Sequence, residues 1–292
     1  MVVSAGNQGR NNTGGNRGYG MIASPGADPW IITVGAARTM LTSGRTDDAV
    51  TTYSAKGPTL FNQYVKPDIL APGNVISSVR VSGSTLDNQL PLNRVATNYY
   101  LNNGTTAAGA YFRLSGTSMA TPVVSGTVAL MLQKNSALTP DVVKARLMRT
   151  ATKTMANPGS NFDPQTSTTF AIYNDLFTMG AGYLDANAAL ANGDTGTGYA
   201  YSPETYFDYA TNSVKTYFYW DDIWQMAPAF SPSNVWGTTA LLGGGTTLWA
   251  PSGVVWASPS SAGFNIVWGD NIVWGDNIVW GDTTLATSLG DQ

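Results

Sequence analysis

The chain has 292 residues, of which 43% are hydrophobic, and it contains no cysteine and no histidine. This length and apolar content are enough for one large globular domain or two smaller ones. The lack of cysteine excludes disulfides and thiolate metal sites, and the scattered basic residues give no support to a nucleic-acid partner. No apolar run reaches the length of a membrane span, and we expect no signal peptide within this sequence.

Charge and aromatic content both change near residue 192. Residues 1–192 carry a net charge of +5, whereas residues 193–292 carry −8 and hold eight of the nine tryptophans. A compositional shift of this kind is typical of a domain boundary. We therefore predict a first domain over residues 1–192 and an acidic, Trp-rich C-terminal extension over residues 193–292.

The first hundred residues contain strand patterns joined by glycine-rich turns. A buried parallel strand is predicted at residues 1–5, and the Gly6-Asn7 turn that follows leads into a loop rich in Gly, Asn and Arg. A second strand is predicted at residues 30–37. Residues 80–110 are polar and form a longer connection than a compact core needs, so we predict a surface insertion there, near the functional cleft.

A hydroxyl residue stands at the start of a predicted apolar helix. Residues 114–130 read Leu-Ser-Gly-Thr-Ser-Met-Ala-Thr-Pro-Val-Val-Ser-Gly-Thr-Val-Ala-Leu, a glycine turn followed by a helix that we expect to end near Lys134. Ser118 falls in the first turn, where unpaired N–H groups and the positive end of the helix dipole favour an anion. We place Pro122 early enough for its missing N–H to cost no helix bond. These features alone also fit an ordinary capping serine.

Two further helices have clear start signals. Thr139 is a predicted cap before Pro140, which opens the second helix, and Asp185 is a predicted cap for a short helix that ends near Leu190. Strands that alternate with helices predict an α/β fold with a doubly wound parallel sheet. In such folds the functional site lies at the carboxyl ends of the strands.

Two segments resemble motifs of one known family. Gly-Thr-Ser-Met-Ala-Thr-Pro at 116–122 is similar to the nucleophile motif of the subtilisin-like serine peptidases, and Val-Val-Ser-Ala-Gly-Asn-Gln-Gly at 2–9 is similar to their oxyanion-hole segment. The resemblance covers residues 1–192. It implies that Ser118 attacks a peptide carbonyl while the Asn7 amide and the Ser118 N–H stabilise the oxyanion.

The same resemblance implies a subtilisin-like fold, polypeptide substrates and secretion from the cell. It implies no required cofactor. Calcium is common in the family, but the sequence shows no acidic cluster that identifies a site, so we assign no metal ligand.

A catalytic base is missing from this chain. A serine nucleophile needs a base, and the family's Asp and His motifs lie upstream of the point where this sequence begins. We therefore expect an N-terminally truncated catalytic domain that is inactive alone and that has an upstream half as its partner. The alternative is a non-catalytic pseudoenzyme scaffold whose aromatic tail binds a surface or a partner.

Other catalytic arrangements have weaker support in the sequence. Asp194 begins an Asp-Thr-Gly that matches aspartic peptidases, but the motif occurs once, follows a helix and comes after the serine, so we predict a loop residue. A lysine could replace the histidine as base, but nothing in the spacing of Lys56, Lys66 or Lys134 recommends any of them. For Asp68 and Lys66 we predict a structural or a solvated role in place of a catalytic one.

The end of the chain carries a repeat. Asn-Ile-Val-Trp-Gly-Asp occurs three times without interruption over residues 265–282. A continuous strand would align Trp268, Trp274 and Trp280 on one face, about 20 Å apart. Alternatively, each Gly-Asp-Asn is a turn between short strands of a meander, which we favour slightly. The extension is predicted to serve packing or solubility, or else to present an aromatic surface to a sugar, a cell wall or a protein partner.

Overall fold

A computed structural model describes most of the first 236 residues and short strands beyond them. The described residues are 1–10, 18–40, 42–101, 104–153, 155, 159–163, 167–172, 174–208, 210, 213–236, 239–242, 245–250, 253–254 and 256–257. The repeats at 265–282 lie outside these ranges, so both readings of them stay predictions. Within the described ranges, no helix has the length and apolar character needed to span a bilayer.

The central sheet has four strands, which are β1 (Val2–Ser4), β2 (Ile32–Arg38), β3 (Ala49–Val50) and β4 (Ile69–Pro72). Strand β2 pairs parallel with β1 and β4, and antiparallel with β3. Because Ala37 pairs with both Val50 and Pro72, β3 and β4 lie on opposite edges of β2. The double pairing of Val34 likewise places β1 opposite β4. The strands predicted at residues 1–5 and 30–37 are thus confirmed.

The other helices and strands follow in chain order: β5 (Ile76–Val79), α1 (Thr85–Gln89), β6 (Arg94–Ala96), α2 (Asn98–Leu101), β7 (Ala108–Leu114), α3 (Thr117–Lys134), α4 (Pro140–Thr150), β8 (Gly159–Asp163), β9 (Thr168–Ile172), α5 (Leu176–Met179), α6 (Ala186–Ala191), β10 (Glu204–Asp208), β11 (Ser213–Tyr217), α7 (Ile223–Met226), α8 (Pro232–Trp236), β12 (Thr239–Leu242), β13 (Gly245–Ala250), β14 (Gly253–Val254) and β15 (Trp256–Ala257). This mixture of helices and strands confirms the α/β class.

The predicted helix caps are in place. The Thr139 hydroxyl accepts the Val142 N–H at 3.2 Å and so caps α4. The Asp185 carboxylate accepts the Ala188 N–H at 2.9 Å and caps α6. Each cap gives an otherwise unpaired N–H an acceptor, which is why both helices begin at these residues.

The position of Pro122 in its helix differs from the predicted one. Because α3 begins at Thr117, Pro122 lies inside the helix rather than in its first turn. At that position a non-proline residue would donate its N–H to the carbonyl of Ser118, four residues earlier. The proline therefore removes one helix bond and leaves the Ser118 carbonyl without its intrahelical donor.

The two faces of the central sheet pack against different elements. Alternate side chains of β2 and β4 contact the apolar face of α3, together with α4 and α6, in one cluster: Ile32, Val34, Ala36, Ile69, Ala71, Ala120, Val124, Met131, Val143 and Leu147. The opposite face contributes Ala37 and Leu70 to a second cluster that contains Met179 and Tyr183. This alternation is what a strand buried on both faces requires.

The predicted insertion forms a small lobe of its own. Strands β5, β7 and β6 make an antiparallel sheet in that order. Both Arg80 and Arg94 donate to the buried Asp87 carboxylate, with Nε–O distances of 2.6 and 2.7 Å. The hydrogen bond from Arg80 lowers the pKa of Asp87 well below its usual range. These contacts tie the lobe's first helix to strand β6.

One hydrophobic cluster crosses residue 192. Ala145 and Met148 of α4 belong to the same buried cluster as Trp224, Phe230 and Trp236. The first forty residues after position 192 therefore contribute side chains to the core around α4. The predicted domain boundary near residue 192 stays a prediction.

A buried group of charges fixes the start of β2 and β4 to the segment after α6. Lys66 Nζ lies 2.7 Å from Asp68 Oδ2, and Lys144 Nζ lies 3.2 Å from Asp68 Oδ1. The Ser202 hydroxyl donates to Asp68 Oδ1 at 2.7 Å, and the Thr33 N–H donates to Oδ2 at 2.7 Å. The structural role predicted for Lys66 and Asp68 agrees with this position.

Burial and pairing act in opposite directions on this group. Burial alone would raise the pKa of Asp68, but the ammonium groups of Lys144 and Lys66 lower it below its usual value. Burial lowers the pKa of Lys66 to about 7, against the attraction of Asp68. The Asp68 carboxylate therefore opposes the loss of a proton from both buried lysines.

We predict that Asp68→Ala strongly destabilises the chain. The substitution leaves two buried ammonium groups unpaired, which costs about 3–5 kcal/mol in the free energy of unfolding at pH 6. At pH 9 the loss of stability caused by Asp68→Ala should be smaller. Without a carboxylate beside them, the buried lysines lose their protons at a pH well below the pKa that they have in the unfolded chain. Urea unfolding at both pH values measures this.

The matched control is Asp28→Ala, which removes an exposed carboxylate that accepts the Trp30 N–H at 2.8 Å. It should change stability by about 1 kcal/mol or less. Equal losses of stability in the two variants would contradict the role assigned to Asp68 as the partner of two buried lysines. A loss for Asp68→Ala that is the same at pH 6 and pH 9 would contradict it too.

Candidate functional site

The start of helix α3 is held against the end of strand β4 by two glycines. The Gly116 N–H donates to the Gly73 carbonyl at 2.9 Å. A Cβ on Gly73 would come within 2.8 Å of the Gly116 carbonyl oxygen, and Gly116 itself has φ +153°. The close approach requires glycine at position 73, and the positive φ favours glycine at position 116.

Asn7, in the turn that follows β1, caps helix α3. The N-cap of α3 is Gly116, which has no side chain to accept the helix's first N–H. The side-chain oxygen of Asn7 accepts that N–H, from Thr117, at 2.9 Å. It also accepts the Thr117 hydroxyl at 2.9 Å, and the same hydroxyl accepts the Gly6 N–H at 3.2 Å. The two motif segments, about 110 residues apart, therefore meet at Thr117.

The Ser118 N–H is the donor that this arrangement leaves free. The N–H groups of Met119 and Ala120 both bond to the Gly116 carbonyl, and that of Thr117 bonds to Asn7. No acceptor for the Ser118 N–H, and no partner for its hydroxyl, is found in the described part of the chain. The Ser118 side chain is exposed, whereas Thr117 beside it is buried. A free N–H beside an exposed hydroxyl at a helix N-terminus suits a developing anion.

Thr117 also decides which way the Asn7 amide faces. A backbone N–H can only donate, so the Asn7 atom that it meets must be the oxygen Oδ1. The NH₂ group then occupies the other branch of the amide, with no acceptor among the described residues. Sequence reasoning assigned no role to Thr117, although its place between Gly116 and Ser118 was the available signal.

An apolar groove of about 620 Å³ opens beside the first turns of α3. It lies between that helix and the lobe formed by β5, β6 and β7. Its main apolar lining residues are Val79, Leu86, Phe112, Met119, Pro122 and Val123.

None of the contacts found in the described ranges brings a base to Ser118. Lys66 is bound to Asp68, Lys134 donates to the Leu190 carbonyl at 2.8 Å, and Lys56 is buried with its ammonium 5.2 Å from the Tyr19 ring centre. Asp194 lies in the loop after α6, as predicted. It forms an ion pair with Arg149, and Asn192 Nδ2 donates to it at 2.7 Å.

The described residues offer no ligand set for a metal ion. Across these ranges, no three Asp, Glu, Cys or His side chains come close enough together to hold one. Calcium therefore stays an expectation from the family resemblance, without residues assigned to it.

Comparison with known proteins decides the family. The model of the Subtilase family matches residues 1–169, more than half of the chain. The chain belongs to the subtilase family. The serine protease AprX of Bacillus subtilis (strain 168) is 42% identical over 147 residues, which are 50% of this chain and 29% of AprX. The subtilisin-like protease SBT1.9 of Arabidopsis thaliana is 31% identical over 169 residues, covering 57% of this chain and 18% of that protein.

This subtilase chain thus spans less than a third of the length of these curated relatives. Solved structures of related enzymes also match. Fervidolysin from Fervidobacterium pennivorans, a keratinolytic enzyme related to subtilisin, has 25% identity and a TM-score of 0.43, with 68% of this chain and 23% of that chain covered. The self-cleaved protease domain of PatA has 26% identity and a TM-score of 0.36, with 65% and 48% covered.

We predict that Thr117→Val weakens the junction between the two motif segments. The substitution keeps the shape but removes the hydroxyl that donates to Asn7 and accepts from Gly6. It should lower the free energy of unfolding by about 1–3 kcal/mol, because the Gly6 N–H loses its acceptor. Thr117→Ser keeps the hydroxyl and should restore most of the loss in urea unfolding.

Thr121→Val is a matched control in the same helix. The Thr121 hydroxyl bonds only to the Thr117 carbonyl, at 2.9 Å, among the contacts found. Its removal should cost less than about 1 kcal/mol. A loss at Thr121 as large as at Thr117 would argue against the junction.

Proposed function

We propose that this chain carries the nucleophile and the oxyanion site of a serine-type endopeptidase. Ser118 attacks the carbonyl carbon of a peptide bond and forms an acyl-enzyme, which water then hydrolyses. The Ser118 N–H and the Asn7 NH₂ group donate to the oxyanion of the tetrahedral intermediate. Polypeptides are the substrates, and the protein acts outside the cell, an expectation that comes from the family.

The observation that carries the proposal is the single free N–H at the start of α3. Asn7 uses its oxygen to cap Thr117, which leaves its NH₂ group as a second free donor next to the same helix turn. Two fixed donors beside an exposed hydroxyl are what acyl transfer requires, since fixed donors need no reorganisation when the charge develops. An ordinary capping serine would instead bond its hydroxyl to a nearby backbone N–H.

The base comes from a segment outside these 292 residues, which contain no histidine. Two features offer that segment a place to dock. Among the described strands, β1 has a partner on one edge only. Helix α3 leaves Leu130 and Leu132 exposed by 49% and 38%. An upstream half of the catalytic domain would extend the sheet beyond β1 and cover exposed apolar residues of α3.

We predict that the chain alone does not hydrolyse casein, and that a chimera does. The chimera joins the part of AprX that precedes its matching region to this chain. It should hydrolyse casein and react with a fluorophosphonate probe at Ser118, located by mass spectrometry. Asn7→Ala in the chimera should lower turnover about 10²–10³-fold, a magnitude taken from the equivalent residue of subtilisin, a member of the same family.

Ser118→Ala should abolish both hydrolysis and labelling, whereas Ser125→Ala, an exposed serine about two turns further along α3, should leave both unchanged. Casein hydrolysis by the chain alone that Ser118→Ala removes would show that no outside base is needed. A folded chimera that is neither active nor labelled would favour the pseudoenzyme scaffold.

A further inference from the structure

Six aromatic rings form a continuous group that reaches the surface. Their positions in the sequence are far from Ser118. We call this group the aromatic ladder; its members are Trp30, Tyr64, Tyr199, Tyr201, Tyr217 and Tyr219. Neighbouring ring centres lie 4.9–5.4 Å apart: Trp30 contacts Tyr199 and Tyr201, Tyr201 contacts Tyr64 and Tyr219, and Tyr219 contacts Tyr217. Trp30, Tyr199 and Tyr217 are exposed by 52%, 48% and 50%, which is unusual for rings that pack on one another.

The ladder is held rigidly by the backbone and by its own hydroxyl groups. The Tyr64 and Tyr201 hydroxyls are 2.6 Å apart and hydrogen-bonded, and the Tyr219 hydroxyl donates to Glu204. The Tyr199 N–H donates to the Asp221 carbonyl at 3.1 Å. Rings fixed in this way lose little conformational freedom when a ligand binds to them.

The segments that carry the ladder are acidic. Residues 28–30, 199–208 and 215–222 contain five acidic residues and one basic residue, Lys215, which already interacts within the chain. Asp28 and Asp221 are exposed and Glu204 is half-buried. The lysines nearest to this surface, Lys66 and Lys144, are buried and bound to Asp68. Apart from Lys215, the described charged side chains that these segments expose are therefore acidic.

The angles between the rings limit what can bind. Trp30 is nearly perpendicular to Tyr199 and Tyr201, at 83° and 87°, and Tyr217 is at 83° to Tyr219. Perpendicular rings do not form the flat row of faces on which successive sugar rings of a glycan would stack. They form walls around a compact group, and the negative π faces of such walls attract cations.

We propose that the aromatic ladder binds basic segments of polypeptides. Arginine or lysine side chains lie against the exposed faces of Trp30, Tyr199 and Tyr217 and pair with the carboxylates of Asp28 and Asp221. The surface is assembled from parts of the chain on both sides of residue 192, so it forms only when the C-terminal segment is folded onto the first domain. The proposal does not depend on the peptidase function.

The experiment uses the whole chain and three fluorescein-labelled decapeptides, in which glycine alternates with arginine, glutamine or glutamate. Fluorescence anisotropy at low and high ionic strength gives the affinity of each. The arginine peptide should bind, more weakly at high salt because the ion pairs are screened. The glutamine peptide should bind at least about tenfold more weakly. The glutamate peptide should not bind.

Trp30→Ala should lower the affinity for the arginine peptide about 3- to 10-fold, since one exposed cation–π contact is lost. Asp28→Asn combined with Asp221→Asn keeps the shape of the surface and should weaken binding while flattening its salt dependence. Tyr99→Ser, at an exposed tyrosine of the β5–β7 lobe, is the matched control and should change nothing. Unchanged melting temperatures establish that the variants are folded.

Equal affinity for all three peptides would overturn the proposal, as would full binding by both ladder variants. Retention on a neutral glycan such as cellulose, without affinity for the arginine peptide, would also overturn it and would assign the rings to a sugar. If Trp30→Ala does not fold, the variant that combines Asp28→Asn with Asp221→Asn decides the outcome alone.

Discussion

The hydrogen bond from the Thr117 N–H to the Asn7 side-chain oxygen is the contact on which the site depends. It joins the loop after β1 to the first turn of α3 and replaces the cap that Gly116 cannot supply. Glycine is favoured at position 116 because its φ of +153° is one that residues with a Cβ rarely adopt. This backbone conformation therefore removes the local cap, and a residue 110 positions before Thr117 takes over that function.

The same bond leaves two donors, the Ser118 N–H and the Asn7 NH₂ group, without an acceptor among the described residues. If the residue at position 116 capped the helix with its own side chain, the Asn7 side chain would be free to rotate. Its amide oxygen and nitrogen could then exchange places. With the oxygen held by two donors from Thr117, the amide has one orientation. Pro122 adds to the polarity of this turn, because it leaves the Ser118 carbonyl without its usual donor. The local backbone around Ser118 is thus less hydrogen-bonded than the rest of the helix.

Local signals in the sequence were enough to predict the first two strands and the caps at Thr139 and Asp185, whereas the family resemblance implied that Asn7 meets the start of α3. The helix start was predicted correctly, but Pro122 lies too far beyond Thr117 for the loss of its N–H to leave the helix bonds complete. The role of Thr117 was missed because it depends on a partner 110 residues away. The Asp68 group was beyond sequence reasoning for the same reason, since its members come from four separate segments.

The position of Ser202 in that buried group sets the order in which the protein can mature on the ribosome. Lys144 and Ser202 are 58 residues apart, and Asp68 and Ser202 are 134 apart. When α4 has just been synthesised, the residue that completes the hydrogen bonds around its lysine has not yet been made. The hydrogen bonds of this buried group are therefore completed only after translation has passed residue 202, later than the synthesis of both Asn7 and Ser118.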